Sequence, residues 1–322
     1  MRNRIAGIVL AVLPLSVLGA AAKAEYPDKP IEFVTPYPAG TAPDLVMRIV
    51  APAMARTLGQ PVVVDNRGGA GGNIGMSHVA RSRPDGYVIG LGGISTNAIA
   101  PHIYKSVPFD AQKDFSAVAM LGASAGVIAV KSDSPIRNIA DLVEYARQHP
   151  GMSYGTTAAG TSPHLAGIIF REAAGLDLND VGYKSGAQAI TDLVGGHIPL
   201  MINHMMPTLP LIKSGQIRAI AVFNKNRSPL IPDVPTVAEQ GFPGFAVEPW
   251  FAVYGPAGMP RDVVDKLNAA IGSALADADV KARLIDSGFN PEAYTAGQLE
   301  EYTEQEFQRF GKVVRDGNIT AD

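Results

Sequence analysis

Short apolar runs of strand length alternate with amphipathic runs of helix length along this chain, and that alternation limits it to few architectures. Residues 31–35, 61–65 and 87–91 read as strands, with helices at 44–58 and 73–81 between them. Leu45, Ile49, Met54 and Leu58 fall near one face of the first helix, and Gly59 follows its end. Pro52 lies inside that helix and should kink it or cost a hydrogen bond. The order β-α-β-α-β predicts a parallel sheet with helices on both faces.

The pattern restarts at Ala117. Strands are predicted at 117–121, 127–130, 198–202 and 217–223, and helices at 139–148, 164–174, 187–194 and 208–213. Residues 227–235 carry three X-Pro pairs and read as an irregular connection, and 245–254 read as extended chain. Helices at 261–276, 279–286 and 298–315 close the chain with little strand, so this end should pack back on the first sheet. The reading is therefore an α/β protein of two lobes. Residues 25–123 with 249–322 form one lobe and 124–248 the other, joined by crossings near 122–126 and 247–251. Two lobes with two crossings and a cleft between them make a hinged receptor; two independent domains in series is the alternative.

Composition narrows the chemistry. The chain has no cysteine, which excludes disulfides, thiolate metal sites, iron–sulfur clusters and a cysteine nucleophile. Net charge is −3 with no basic block, against a nucleic-acid partner. At the start, Arg2 and Arg4 precede an uncharged apolar run from Ile5 to Leu18, and Ala22-Lys23-Ala24 follows. Residues 1–24 thus read as a cleaved secretory signal peptide, with an uncleaved anchor as the alternative.

Most candidate motifs fail on context. Gly122-Ala123-Ser124-Ala125-Gly126 matches a nucleophile elbow, but an elbow needs a helix after it, and the strand-like Val127-Ile128-Ala129-Val130 follows. A small-residue crossover is the plainer reading, with a secreted serine hydrolase using Ser124 as the rival. The run Gly68-Gly69-Ala70-Gly71-Gly72-Asn73-Ile74-Gly75 misses the third glycine of the dinucleotide fingerprint. No two of the six histidines lie at helical ligand spacing, so neither a metal nor another cofactor is expected.

Two loops are more informative. Thr35 to Asp44 runs from a strand through Tyr37-Pro38-Ala39-Gly40-Thr41 into a helix with Pro43 in its first turn, and Thr41 could cap that helix. In the second lobe, Thr156-Thr157-Ala158-Ala159-Gly160-Thr161-Ser162-Pro163-His164 has the same layout. Free N–H groups at a helix start favour an anion. Facing each other across a cleft, two such starts would clasp a carboxylate.

The sequence resembles the Bug-type solute receptors of tripartite tricarboxylate transporters over nearly the whole chain after the signal peptide. The resemblance rests on Tyr26-Pro27-Asp28-Lys29-Pro30-Ile31, on Pro38-Ala39-Gly40 with Asp44, and on the run from Leu58 to Arg67. Gly69 to Gly75, Pro84-Asp85-Gly86-Tyr87, Gly160-Thr161-Ser162 with His164, Val181-Gly182-Tyr183-Lys184, Asp233 to Glu239 and Pro256-Ala257-Gly258 extend it. It implies a type II periplasmic-binding-protein fold closing on a small carboxylate, often through water-bridged contacts from the first loop. It also implies the periplasm and, as partners, the ligand and the transporter's membrane subunits. A monomer is expected. Thr41 stands where the family usually has a second glycine. Asn203-His204 follows a strand where members often have Asp, which disfavours an α-amino acid and suits a dicarboxylate or an aromatic acid.

The candidate ligand-binding residues are Tyr37, Ala39, Gly40, Thr41, Asp44, Thr96 and Asn97 from the first lobe. From the second come Thr157, Ala159, Gly160, Thr161, His164 and Asn203. Asp44 could instead brace its loop, and Thr96 and Asn97 could cap a short helix. A soluble sensor presenting its ligand to a histidine kinase would share this fold and pocket.

Overall fold

A computed structural model describes residues 25–320, so the expected signal peptide lies outside the described residues. The first lobe opens as the alternation requires, with β1 (Ile31–Thr35), α1 (Ala42–Leu58), β2 (Val62–Asn66), α2 (Asn73–Ala80) and β3 (Val88–Gly93). β1 pairs in parallel with both β2 and β3. Ile31, Phe33 and Val34 are fully buried, because such a sheet is covered on both faces. After β3 the chain makes a π-helical turn at 94–99 that runs into α3 (Ala100–Ile103), then enters β4 (Phe115–Ser124).

The second lobe comprises β5 (Gly126–Lys131), α4 (Ile139–Gln148), β6 (Met152–Thr157), α5 (Ser162–Ala174), β7 (Leu178–Tyr183), α6 (Gly186–Gly195), β8 (Leu200–His204), α7 (Met205–Lys213) and β9 (Ile217–Val222). Its five strands run in the order β7-β6-β8-β5-β9. The chain then returns to the first lobe as β10 (Trp250–Pro256), α8 (Arg261–Ala276), α9 (Ala278–Asp286), β11 (Phe289–Pro291) and α10 (Ala296–Asp316). The six-stranded sheet there has the order β11-β4-β10-β3-β1-β2, with β10 antiparallel between β3 and β4.

The two crossings lie side by side. β4 and β5 are separated by Ala125 alone, and the Ser124 amide donates to Pro249 O of the return crossing at 2.8 Å. Asn224, just after β9, clamps the first crossing: its Oδ1 accepts from the Gly126 amide at 2.7 Å and its Nδ2 donates to Ser124 O at 3.1 Å. A Cβ on Gly122 would collide with the Asn290 carbonyl, and one on Gly126 with the Phe223 ring. Small residues are therefore required where the backbones pass. The Ser124 hydroxyl bonds only the adjoining Ala125 carbonyl, at 3.1 Å, and a strand follows it. Ser124 therefore does not sit on the strand-to-helix turn that a nucleophile elbow requires.

Other expectations need correction. The buried face of α1 is Val46, Met47, Val50, Met54 and Leu58, while Leu45 and Ile49 are only half-buried. Pro52 is exposed and the helix runs on through it, at the expected loss of one backbone hydrogen bond. Strands β6, β7 and β11 went unread. Hydroxyls and a glycine dilute β6, and Asn179, Asp180 and Gly182 lower the strand propensity of β7. β11 is three residues on a sheet edge, where Pro291 is tolerated. Among the described residues, no helix is long and apolar enough to cross a membrane.

Candidate functional site

A cavity of about 520 Å³ opens between the lobes. Residues at or just beyond the C-terminal ends of β1 (Pro36), β3 (Ser95), β6 (Thr157), β7 (Lys184) and β8 (His204) line it, with Gly68 following β2. This is where α/β sheets place their ligands. Helices that follow these strands bring their N-termini to the same space. Thr41, Gly72, Thr161 and His204 are the N-cap residues of α1, α2, α5 and α7, and Lys184 lies one residue before the Ser185 cap of α6. A helix start carries a partial positive charge and N–H groups with no intrahelical acceptor; of these, the Ser162 amide of α5 is taken by Ser95 Oγ and the Met205 amide of α7 by Ala125 O. Among the lining residues Lys184 is the only one that is charged at neutral pH, and none is a carboxylate.

The two threonine loops repeat one local geometry. The Thr41 hydroxyl donates to Pro38 O at 2.7 Å, and the Thr161 hydroxyl donates to Ala158 O at 2.8 Å. Gly40 and Gly160 precede them with φ of 79° and 82°, in the left-handed region that favours glycine. The Gly40 amide donates to Asp44 Oδ2 at 2.9 Å, and the Gly160 amide to His164 Nδ1 at 3.4 Å. Neither threonine side chain caps its helix, contrary to the reading of Thr41. With the hydroxyls turned back on their own loops, they accept no hydrogen bond from the first-turn N–H groups.

Asp44 is buried and accepts further bonds from Arg48 and Asn66. Burial pushes its pKa up, but the Arg48, Gly40 and Asn66 hydrogen bonds outweigh that and hold it below the ordinary carboxylate value. In the second loop, His164 faces Asp180 at 3.8 Å, and Asp180 also accepts from the Thr156 hydroxyl at 2.6 Å. Burial lowers the pKa of His164 and raises that of Asp180. Both residues contact a second, smaller cavity near Asn318 rather than the one between the lobes.

Across the cleft, the Ser162 amide donates to Ser95 Oγ at 3.2 Å, and Ser95 also bonds Tyr37. Burial pushes the Tyr37 phenol up to about 12, so it stays protonated. The Tyr104 hydroxyl donates to Ala159 O at 2.7 Å. These bonds tie the second loop to the first lobe beside the shared cavity.

A model of the tripartite tricarboxylate transporter family receptor matches residues 46–319, most of the chain. The chain belongs to that receptor family. A protein of the tcbD-tcbE intergenic region of Pseudomonas sp. (strain P51) is 36% identical over 100% of this chain and 96% of its own length. BugT of Bordetella pertussis (strain Tohama I) is 32% identical over 98% of each. Among solved structures, periplasmic binding protein BugD superposes with a TM-score of 0.87 at 34% identity, covering 92% of this chain and 99% of its own. A Rhodopseudomonas palustris protein with adipate gives 0.88 at 31%, over 92% and 99%. MatC of the same organism, with bound malate, gives 0.85 at 28%, over 90% and 100%. The two-lobed α/β architecture is thus the periplasmic-binding-protein fold.

Of the candidate residues in this tripartite tricarboxylate receptor, Tyr37, Thr41, Thr157 and Thr161 line the cavity. Ala39, Gly40, Asp44, Ala159, Gly160 and His164 belong to the two loops but do not line it. Thr96 and Asn97 lie buried in the π-helical turn, where Asn97 Oδ1 accepts from the Gly93 amide and the Thr96 hydroxyl. Asn203 turns toward α6, donating to Gly186 O at 3.2 Å. Sequence reasoning passed over Ser95, Lys184, His204 and Phe251 as site residues. Lys184 and His204 stood in motifs quoted for the resemblance or its departures. Phe251 gave no signal, because its place depends on β10 returning from the second lobe.

Proposed function

We propose that this receptor captures a small carboxylate between its lobes in the periplasm, leaves it chemically unchanged, and presents it to the membrane subunits of a tripartite transporter. The observation that carries this is the convergence of the α1 and α5 starts on one interlobe cavity whose only charged lining residue is Lys184. Free amides and a lysine suit an anion. Thr41, Thr161 and Thr157 edge the space with hydroxyls, while Asp44 and His164 act through the loops they brace. The adipate and malate carried by two solved relatives support a carboxylate. A dicarboxylate or an aromatic acid is favoured over an amino acid, because no lining carboxylate could pair with an α-ammonium group. The ligand bridges both lobes and shifts the protein toward closure by its differential affinity.

Native mass spectrometry of freshly purified protein, followed by a thermal-shift panel of organic acids, tests this. A co-purified carboxylate and stabilisation by dicarboxylates or aromatic acids are expected. Stabilisation by glutamate or aspartate alone would sink the ligand class, and no response to any acid would sink the receptor reading.

A further inference from the structure

His204 is seven per cent exposed, lines the interlobe cavity, and has an Nδ1 buried with no hydrogen-bond partner. Its ring lies 5.8 Å from that of Phe251, tilted by 56°. Phe251, Tyr37, Pro36, Pro38 and Pro43 give the cavity predominantly apolar walls. Lys184 is exposed, at the rim, so no charged residue backs the wall that His204 forms.

We propose that His204 and Phe251 form an uncharged subsite in the interlobe cavity, selecting an aromatic acid with one carboxylate over an aliphatic dicarboxylate. This rests on the function proposed above and narrows its ligand class. A first carboxylate finds helix amides and Lys184. A second, at the far end of a dicarboxylate, would lie against a neutral imidazole and a phenyl ring with no cation to offset its lost hydration, at a helix start whose Met205 amide is already given to Ala125 O and whose Pro207 has no N–H. Burial keeps the imidazole neutral at neutral pH. A flat apolar ring makes no such demand and packs against Tyr37 and Phe251. The imidazole offers any uncharged polar substituent a hydrogen-bond partner.

Isothermal titration at pH 7.5 with benzoate, 4-hydroxybenzoate, adipate and malate decides the matter on the unaltered protein. At least one of the two aromatic acids should bind tenfold or more tightly than adipate and malate. His204→Lys should reduce that preference at least tenfold by supplying a cation, and His204→Gln, which folds more safely, should preserve it. Equal or tighter binding of adipate or malate by the unaltered protein overturns the subsite and leaves the carboxylate receptor standing. Failure of all four acids, together with a silent thermal-shift panel, overturns both.

Discussion

The Tyr104 hydroxyl reaches across the cleft from the first lobe and donates to the carbonyl of Ala159 in the second, at 2.7 Å. Tyr104 also packs against Gly160, where a Cβ would lie 2.8 Å from its ring. The bond joins residues of the two lobes, so it should favour the closed state without supporting either lobe's core. Tyr104→Phe should weaken binding of the best acid in the thermal-shift panel about fivefold, the loss of one neutral hydrogen bond of about 1 kcal/mol. The melting temperature without ligand should change little. Calorimetry and small-angle scattering check this; unchanged affinity with unchanged closure would remove Tyr104 as a clasp.

Asp44 supports the first loop from behind. Its carboxylate accepts from Gly40, Arg48 and Asn66, and its side chain is two per cent exposed. Asp44→Ala removes the shared acceptor of the half-exposed Gly40 amide, the Arg48 guanidinium and the Asn66 carboxamide, so it should cost about 2 kcal/mol of stability and loosen the loop. Its folded pKa lies below the ordinary value of 3.8, so its contribution is intact above that pH and fades as pH falls through the lower folded value. Urea unfolding of the two proteins at pH 7 checks the magnitude.

The sequence carried the fold further than the site. Strand and helix alternation shows where each element has its own burial pattern, as in Ile31-Glu32-Phe33-Val34-Thr35. It fades in β7, which is held on the sheet edge by its pairing with β6 rather than by its own side chains. The two helix-leading loops were legible because Gly-Thr-x-Pro is a local signal that fixes φ and the first turn together. Ser95 and Phe251 were not, since a cavity wall is assembled by tertiary register: Phe251 pairs with Gly93, two residues before Ser95. Thr96 and Asn97 misled because a π-helical turn advances the chain differently from a loop, and Ser95 lines the cavity instead.

Acid should destabilise this protein partly through His204. Burial pushes its pKa down to about 4 from an ordinary value of 6.5. Between those values the unfolded chain holds a proton that the folded chain does not, so stability falls as pH falls, by at most about 1.4 kcal/mol per pH unit. It is fully restored above pH 6.5. His164, also lowered by burial, acts in the same sense, whereas Asp180, raised by burial, acts in the opposite sense. The difference between the parent and His204→Phe isolates the one group. That difference should be constant above pH 7 and shift by about 2–3 kcal/mol on reaching pH 4.5. A flat difference throughout would mean that the imidazole is not held neutral.

Gly40 and Gly160 share a backbone conformation but not a neighbourhood, which separates strain from closure. Both have φ near 80°, so alanine at either should cost about 1 kcal/mol in the left-handed region. A Cβ at Gly40 meets nothing within 4 Å, whereas one at Gly160 meets the Tyr104 ring and hydroxyl, each at 2.8 Å. Gly40→Ala should therefore lower stability alone, with affinity for the best panel acid changed less than about twofold. Gly160→Ala should lower stability by a similar amount and, by displacing Tyr104 from Ala159, weaken binding about tenfold, a little over 1 kcal/mol. Because the same bond is lost, adding Tyr104→Phe to Gly160→Ala should weaken binding by less than the sum of the two single effects. Full additivity in that double-mutant cycle would show that Gly160 acts on the ligand by a route that does not pass through Tyr104.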